Sequence, residues 1–179
     1  MGKLLTCLFT ALGVALCSPA LAQRHVKHMA SWGGHLGRTE KGEYHELSYS
    51  TFLTDKASFR LGILREYGLL NGTGKYRAFT SRLFVAPQLF RIGERVYFHL
   101  LVGGGGSYER IEDSRADPEE KEAVHKRVVY GPQAGVEADL YLGNRVSIAA
   151  SGTKGLLLNH TRLDEWPGYA SIGLRYHFW

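Results

Sequence analysis

The side chains that could do chemistry in this 179-residue sequence are its histidines, a few serine–histidine–acid combinations and two glycine-rich runs. His25 and His28 lie close together, with His35 and His45 further on, so a metal site is the first reading to test. No Glu-flanked His-x-x-x-His pattern is present, and the ligand spacing of a closed zinc site is missing. They read as scattered loop and strand-end histidines. For catalysis the candidates are His160 with Asp164 and His125 with Glu122. Any polar loop offers such pairs, and no Gly-x-Ser-x-Gly elbow accompanies them. Gly103 to Gly106 has the wrong spacing for a dinucleotide loop and no helix-like stretch after it, so it reads as a bend or as room for neighbouring side chains. Gly72-Thr73-Gly74-Lys75 lacks the first glycine and the final Ser/Thr of a phosphate loop. The sequence therefore predicts no catalytic, cofactor-binding or metal-ligating residue, no cofactor and no small-molecule substrate.

One constellation remains. Arg60, Arg82, Glu137, Asp139, Arg175 and His177 sit on the polar phase of segments whose other phase is apolar. Strict alternation with period two marks a strand with two unlike faces. Around 128–141, Tyr130, Ala134, Val136, Ala138 and Leu140 form the apolar face, and Gln133, Gly135, Glu137 and Asp139 form the other. Two carboxylates on a central strand are costly if dry and unpaired, whereas a polar lumen with arginine partners removes most of that penalty.

Eight such segments can be drawn, at about 26–36, 44–53, 57–67, 76–90, 95–108, 128–141, 145–153 and from Ala170 onward. In the last, Ala170, Ile172, Leu174, Tyr176 and Phe178 alternate with Ser171, Gly173, Arg175 and His177. This aromatic ending resembles the terminal strand of bacterial outer-membrane β-barrels. Short links follow the second, fourth and sixth segments: Thr54-Asp55-Lys56, Ile92-Gly93-Glu94 and Leu142-Gly143-Asn144. The other links are mostly longer and more polar. The longest, 111–127, carries Glu112, Asp113, Asp117, Glu119, Glu120 and Glu122; it reads as a solvated tip, a cation site or a docking site. Turns on one side and loops on the other are the pattern of an outer-membrane barrel. Tyr49, Phe79, Phe98, Tyr130, Tyr141, Tyr176 and Phe178 are expected to form its two aromatic girdles. Pro87 and Pro132 fall inside proposed strands and conflict with a closed barrel unless they mark bulges. An eight-stranded barrel is only just wide enough for its own side chains, so the polar constellation is expected to plug the lumen rather than line a channel.

The N-terminus fits the same compartment. Lys3, the apolar run 4–16 and Ala20-Leu21-Ala22 read as a cleaved signal peptide over residues 1–22, leaving the barrel domain at 23–179. The run is too short to span a bilayer as a helix. Both cysteines, Cys7 and Cys17, fall in the removed segment, which excludes disulfides and thiolate chemistry from the mature chain. Leu16 before Cys17 disfavours lipid attachment there. Losing Lys3 lowers the formal charge from +5 to +4, and no basic stripe interleaves with aromatics, so direct nucleic-acid contact is not expected.

The segment Tyr130-Gly-Pro-Gln-Ala-Gly-Val-Glu-Ala-Asp-Leu-Tyr-Leu-Gly-Asn-Arg-Val-Ser-Ile, with the Gly-Leu-Arg-Tyr-His-Phe ending, resembles the TraO family of Bacteroides-type conjugative transposons. The resemblance covers about the last fifty residues; Ser31-Trp32-Gly33-Gly34 and the Phe59 to Glu66 strand fit less closely, and Trp179 lies one residue past the usual aromatic end. It implies a signal-bearing outer-membrane protein of the envelope-spanning mating apparatus, with a structural or anchoring role. The implied partners are outer-membrane lipid and other conjugation proteins. The expected fold is an all-β, antiparallel, eight-stranded transmembrane barrel (OmpX-like). The alternative function is a general OmpX-like protein of adhesion or envelope integrity.

Overall fold

A computed structural model describes residues 29–70, 74–112, 124–158 and 166–178. Every regular element in it is a strand: β1 (Ala30–Thr39), β2 (Gly42–Thr54), β3 (Ala57–Leu70), β4 (Gly74–Ile92), β5 (Val96–Glu112), β6 (Val124–Tyr141), β7 (Val146–Gly155) and β8 (Gly168–Phe178). Each pairs antiparallel with its neighbours in sequence, and β1 pairs with β8 to close the barrel. The fold is the closed eight-stranded antiparallel barrel that the alternation predicts. Residues 1–22, expected to be a signal peptide, lie outside the described residues, as do His25, His28 and Trp179.

The barrel is inside-out relative to a soluble protein. Twenty-five large apolar side chains are exposed among the described residues, including Trp32, Leu61, Phe79, Leu83, Val136 and Ile172. Among the described residues the interior holds two apolar clusters of three: Tyr44, Leu64 and Tyr169, and Phe84, Ala86 and Leu101. Soluble monomers rarely expose apolar patches beyond a few hundred Å². A wall like this one is stable where hydrocarbon meets it.

Strand register fixes the barrel's geometry. Starting at Val136 on β6, one row of partners runs through Gly152, Ala170, Arg38, Glu43, Tyr67, Arg77 and Arg110. It returns to β6 at Lys126, ten residues from where it left. With a rise of about 3.3 Å per residue and strands about 4.8 Å apart, that stagger over eight strands tilts them by about 40° and gives a radius of about 8 Å.

The structure corrects two sequence expectations and answers a third. First, β4, β5 and β6 run 19, 17 and 18 residues, against 10 for β1 and β7. The supposed loop 111–127 shrinks accordingly, because its ends are strand; its acidic centre, 113–123, lies outside the described residues. Second, Tyr141 does not join an outer girdle. It lies in the odd phase of β6, buried beside Tyr97 and His177, whereas Phe79, Tyr130 and Tyr176 face outward. Third, the prolines need no free outer edge. Pro87 pairs with Ala57 next to a register shift between Gln88 and Phe90. The Pro132 carbonyl accepts from Leu156 N just past the last β6–β7 ladder pair, Gln133 with Gly155. The missing N–H of Pro132 faces that same side, beyond the end of β7, where pairing continues only as the isolated bridge of Tyr130 with Leu158. The tight β4–β5 link turns at Gly93, whose φ of 61° suits a residue without Cβ.

Candidate functional site

The barrel interior gathers the charged residues of the polar phase. Glu46 comes from β2, Arg60 from β3, Arg82 from β4, Glu137 and Asp139 from β6, and Arg175 from β8. Each is at most 5% exposed. They form one chain of alternating sign. Arg82 Nη2 meets Glu46 Oε2 at 2.6 Å, and the other Glu46 oxygen lies 3.6 Å from Arg60 Nη2. Arg60 Nη1 pairs with Glu137. Arg175 Nη2 lies 3.0 Å from Glu137 Oε1 as an ion pair, and Arg175 Nη1 donates to both Asp139 oxygens at 2.9 and 2.7 Å. Three arginines face three carboxylates, so this middle layer is formally neutral.

Small residues make room for these long side chains. A Cβ on Gly62 would collide with the Glu46 carboxylate, so the glycine lets Glu46 lie flat against β3. The Arg82 guanidinium lies against two rings that meet edge-on, its carbon 5.6 Å from the Tyr44 centroid and 5.1 Å from that of Tyr169. Cation–π contacts in a desolvated site contribute on the order of 2 kcal/mol. Arg82 is thereby fixed by aromatic faces as well as by charge.

Polar and aromatic layers close both ends. Toward the short turns, Tyr141 packs edge-on to Tyr97 and stacks on His177, whose Nε2 bonds Ser147 Oγ at 2.9 Å. Toward the loops, Glu66 accepts from Tyr76 Oη at 2.6 Å and from Thr39 Oγ1 at 2.7 Å. A cavity of about 30 Å³ beside them, lined by Glu66, Tyr76, Ser107, Glu109 and Tyr169, has the size of one water molecule. Among the described residues, aromatic, ionic and polar layers thus succeed one another across the interior.

Two arrangements here resemble catalytic or metal sites. Ser147 and His177 form a serine–histidine pair, but His177 Nδ1 reaches no acceptor among the described residues, so no carboxylate orients the ring as a triad requires. Both residues are sealed in the lumen. His99, Glu137 and Asp139 hold ligand-type atoms within 4.8 Å of one another. Arginines already neutralise both carboxylates, leaving little net charge to attract a cation. His35 and His45 do not converge: His35 is buried with its Nε2 3.0 Å from Ser48 Oγ, and His45 lies exposed at Tyr67 Oη. His125 belongs to β6, but its side chain, and Glu122, His160 and Asp164, lie outside the description.

All six residues read from the sequence as luminal — Arg60, Arg82, Glu137, Asp139, Arg175 and His177 — are buried in the interior. Glu46, His35 and His99 join them there, as their odd or even phase implies, although sequence alone does not connect them to those partners.

This geometry is that of a closed barrel with an ion-paired interior and an apolar outer wall, and solved structures agree on the fold. The chain is similar to a major outer membrane protein from Thermus thermophilus, with a TM-score of 0.69 at 13% identity over 85% of this chain and all of that one. It is similar to the N-terminal β-barrel domain of Pseudomonas aeruginosa OprF, with a TM-score of 0.63 at 13% identity over 85% and 98%. It is also similar to Ail, the attachment invasion locus protein of Yersinia pestis, with a TM-score of 0.56 at 16% identity over 86% and 100%. The chain has the fold of the small outer-membrane β-barrels. No protein-family model and no curated protein matches it.

Proposed function

We propose that this protein is a non-enzymatic outer-membrane barrel, exported through a cleaved signal peptide, that anchors a conjugative DNA-transfer apparatus. The observation that carries the structural role is the filled, charge-balanced lumen, in which six ion-paired residues are at most 5% exposed. A barrel with no open bore acts through its wall and its loops. Support for the conjugative setting comes from the similarity of 130–148 and 173–178 to the TraO family. Its partners are outer-membrane lipid and other transfer proteins, with no direct contact to the transferred DNA. The deciding experiment is deletion of the gene followed by mating. Transfer frequency falls at least tenfold and recovers on complementation; unchanged transfer defeats the reading. A second reading, surface attachment, is favoured by the extra length of β4, β5 and β6, the last two of which are joined in sequence by the acidic stretch 113–123. Under that reading, removing 113–123 abolishes cell attachment and leaves mating intact.

A further inference from the structure

The apolar outer wall is not equally tall all round. At β3 the charges that bound it, Lys56 and Arg65, are nine positions apart, and at β7 so are Arg145 and Lys154. With about 3.3 Å per residue and a tilt of about 40°, that is a height of roughly 23 Å, close to the apolar band of an outer-membrane barrel. At β4 the bounding charges Arg77 and Arg91 are fourteen positions apart, and at β5 Arg95 and Arg110 are fifteen. Those faces stand roughly 35 Å tall, about 10 Å more than such a band covers. Tilting the barrel moves both ends of a wall together and leaves its length unchanged.

The excess lies at the loop end. One row of partners runs through Arg65, Phe79, Tyr108 and Val128. Rows climb toward the loops with the stagger, so each step rises about 3 Å and Val128 lies about 9 Å above Arg65. Tyr130 is two residues below Val128 on β6, and Leu158 bridges to it. Phe79, Tyr108, Val128, Tyr130 and Leu158 are each close to half exposed. Together they offer roughly 500 Å² of apolar surface, the size of the largest patches that soluble monomers carry, which are often functional. On the opposite wall, β1 already carries charge near the level of Arg65, where Arg38 pairs with Glu43.

We propose that this wall is the interface of a homodimer, in which a second copy of the chain packs its own β4–β6 wall against it about a two-fold axis along the membrane normal. Copies inserted in the same direction hold the patch at the same height, so each supplies the tall apolar surface that the bilayer does not. Two patches bury roughly 1,000 Å² between them, about the minimum for a specific interface, and the lipid-facing wall below adds to it. Just under the patch, Ser81 and Gly106 are paired neighbours and keep the wall smooth enough for close approach. A surface that meets its own copy also needs both signs of charge at its rim. Arg77 and Lys126 are exposed cations there, and the sequence from Glu112 to Glu122 holds six acids. The dimer rests on the membrane reading above but not on the conjugative one.

The test is cross-linking of the full chain in the outer membrane of cells that express it, with a short bis-maleimide and one introduced cysteine per variant. The wild type, whose two cysteines lie within 1–22, controls for those thiols. Val128→Cys and Tyr130→Cys give a band at twice the monomer mass, at least tenfold stronger than Arg38→Cys on the opposite wall. Adding Phe79→Asp/Tyr108→Asp to Val128→Cys cuts that band at least tenfold, while gel mobility before and after heating still reports a folded barrel. Equal bands from Val128→Cys and Arg38→Cys overturn the dimer, as does no band from either patch position. So does an undiminished band in the folded triple variant; if that variant fails to fold, the comparison with Arg38→Cys decides alone. A cross-linked band of another mass, from a different protein or a glycolipid, gives the wall to that occupant and also overturns the dimer. Failure of the membrane reading looks different: the chain is then recovered in the soluble fraction.

Discussion

Arg60 is the residue whose removal tests the interior most directly. It is the middle cation of the alternating chain, between Glu46 and Glu137, and is 2% exposed. Arg60→Met keeps much of its volume and removes its charge. Glu46 then keeps only Arg82, Glu137 keeps only Arg175, and the layer carries one uncompensated buried negative charge. Charges 4 Å apart at an effective dielectric near 20 interact by about 4 kcal/mol, and orphaning a buried partner costs roughly 3–5 kcal/mol. Residual solvation in a polar lumen argues for the lower end, so the expected loss is about 3 kcal/mol. The decisive comparison is Arg60→Met/Glu137→Gln. That double variant leaves Arg82–Glu46 and Arg175–Asp139 as two complete pairs. It is expected within about 1 kcal/mol of wild type, since removing both members of a buried pair together is close to neutral. Urea unfolding in lipid vesicles, followed by the gel-mobility difference between folded and unfolded barrel, measures both. If the double variant loses as much as the single changes added together, the chain is not the charge-balanced unit described here.

Three further outcomes follow from the same structure. Leu83→Arg, at the middle of β4 on the outer face, is expected to destabilise the barrel by about 2–4 kcal/mol in bilayers, and an effect below about 0.5 kcal/mol would place that face away from hydrocarbon. Gly103→Ala drives a Cβ into the Leu83 carbonyl and the Phe84 Cα and is expected to cost about 2 kcal/mol; Gly106→Ala, whose nearest neighbour would be Val129 O at 3.8 Å, is tolerated, and equal stability of the two in unfolding curves contradicts the assigned inward and outward phases. Planar bilayers holding the wild-type protein show no steady current steps, and reproducible unitary steps mean that the lumen conducts.

Much of this architecture is legible in the sequence because a barrel wall imposes one simple rule. Lipid outside and side-chain packing inside force alternation, and alternation survives even where strand ends are uncertain. The same rule assigned Arg60, Arg82, Glu137, Asp139, Arg175 and His177 to the lumen. It also assigns Tyr141 there, because 141 shares the phase of 137 and 139; grouping it by aromatic type instead of phase produced the error. Strand length was not legible. Past the hydrocarbon edge nothing demands apolar residues, so Glu109, Arg110, Lys126 and Arg127 have loop-like composition although β5 and β6 continue through them. The partner choices inside were not legible either. Arg60 and Glu137 are 77 positions apart, and their meeting depends on the ten-residue stagger accumulated around the whole barrel. No local pattern records a quantity that only closure defines.

That dependence suggests why a barrel of this size keeps charges in its centre at all. Buried ion pairs add little stability compared with well-packed apolar groups. Their effect on register is larger. If β6 slipped by one residue, Glu137 and Asp139 would turn into hydrocarbon while Val136 and Ala138 entered the lumen. Each misplaced carboxylate near the membrane centre costs roughly 2–3 kcal/mol, and Arg60 and Arg175 would lose their partners at the same time. An apolar lumen would impose no comparable penalty, because both phases of β6 would then suit lipid equally well. The alternating chain therefore distinguishes inside from outside on five of the eight strands, β2, β3, β4, β6 and β8. The remaining strands carry weaker polar markers, Ser31 and His35 on β1, His99 on β5 and Ser147 on β7, all buried. Every strand thus has a polar residue that is unfavourable on the wrong face, and the register that satisfies all eight together is the closed one.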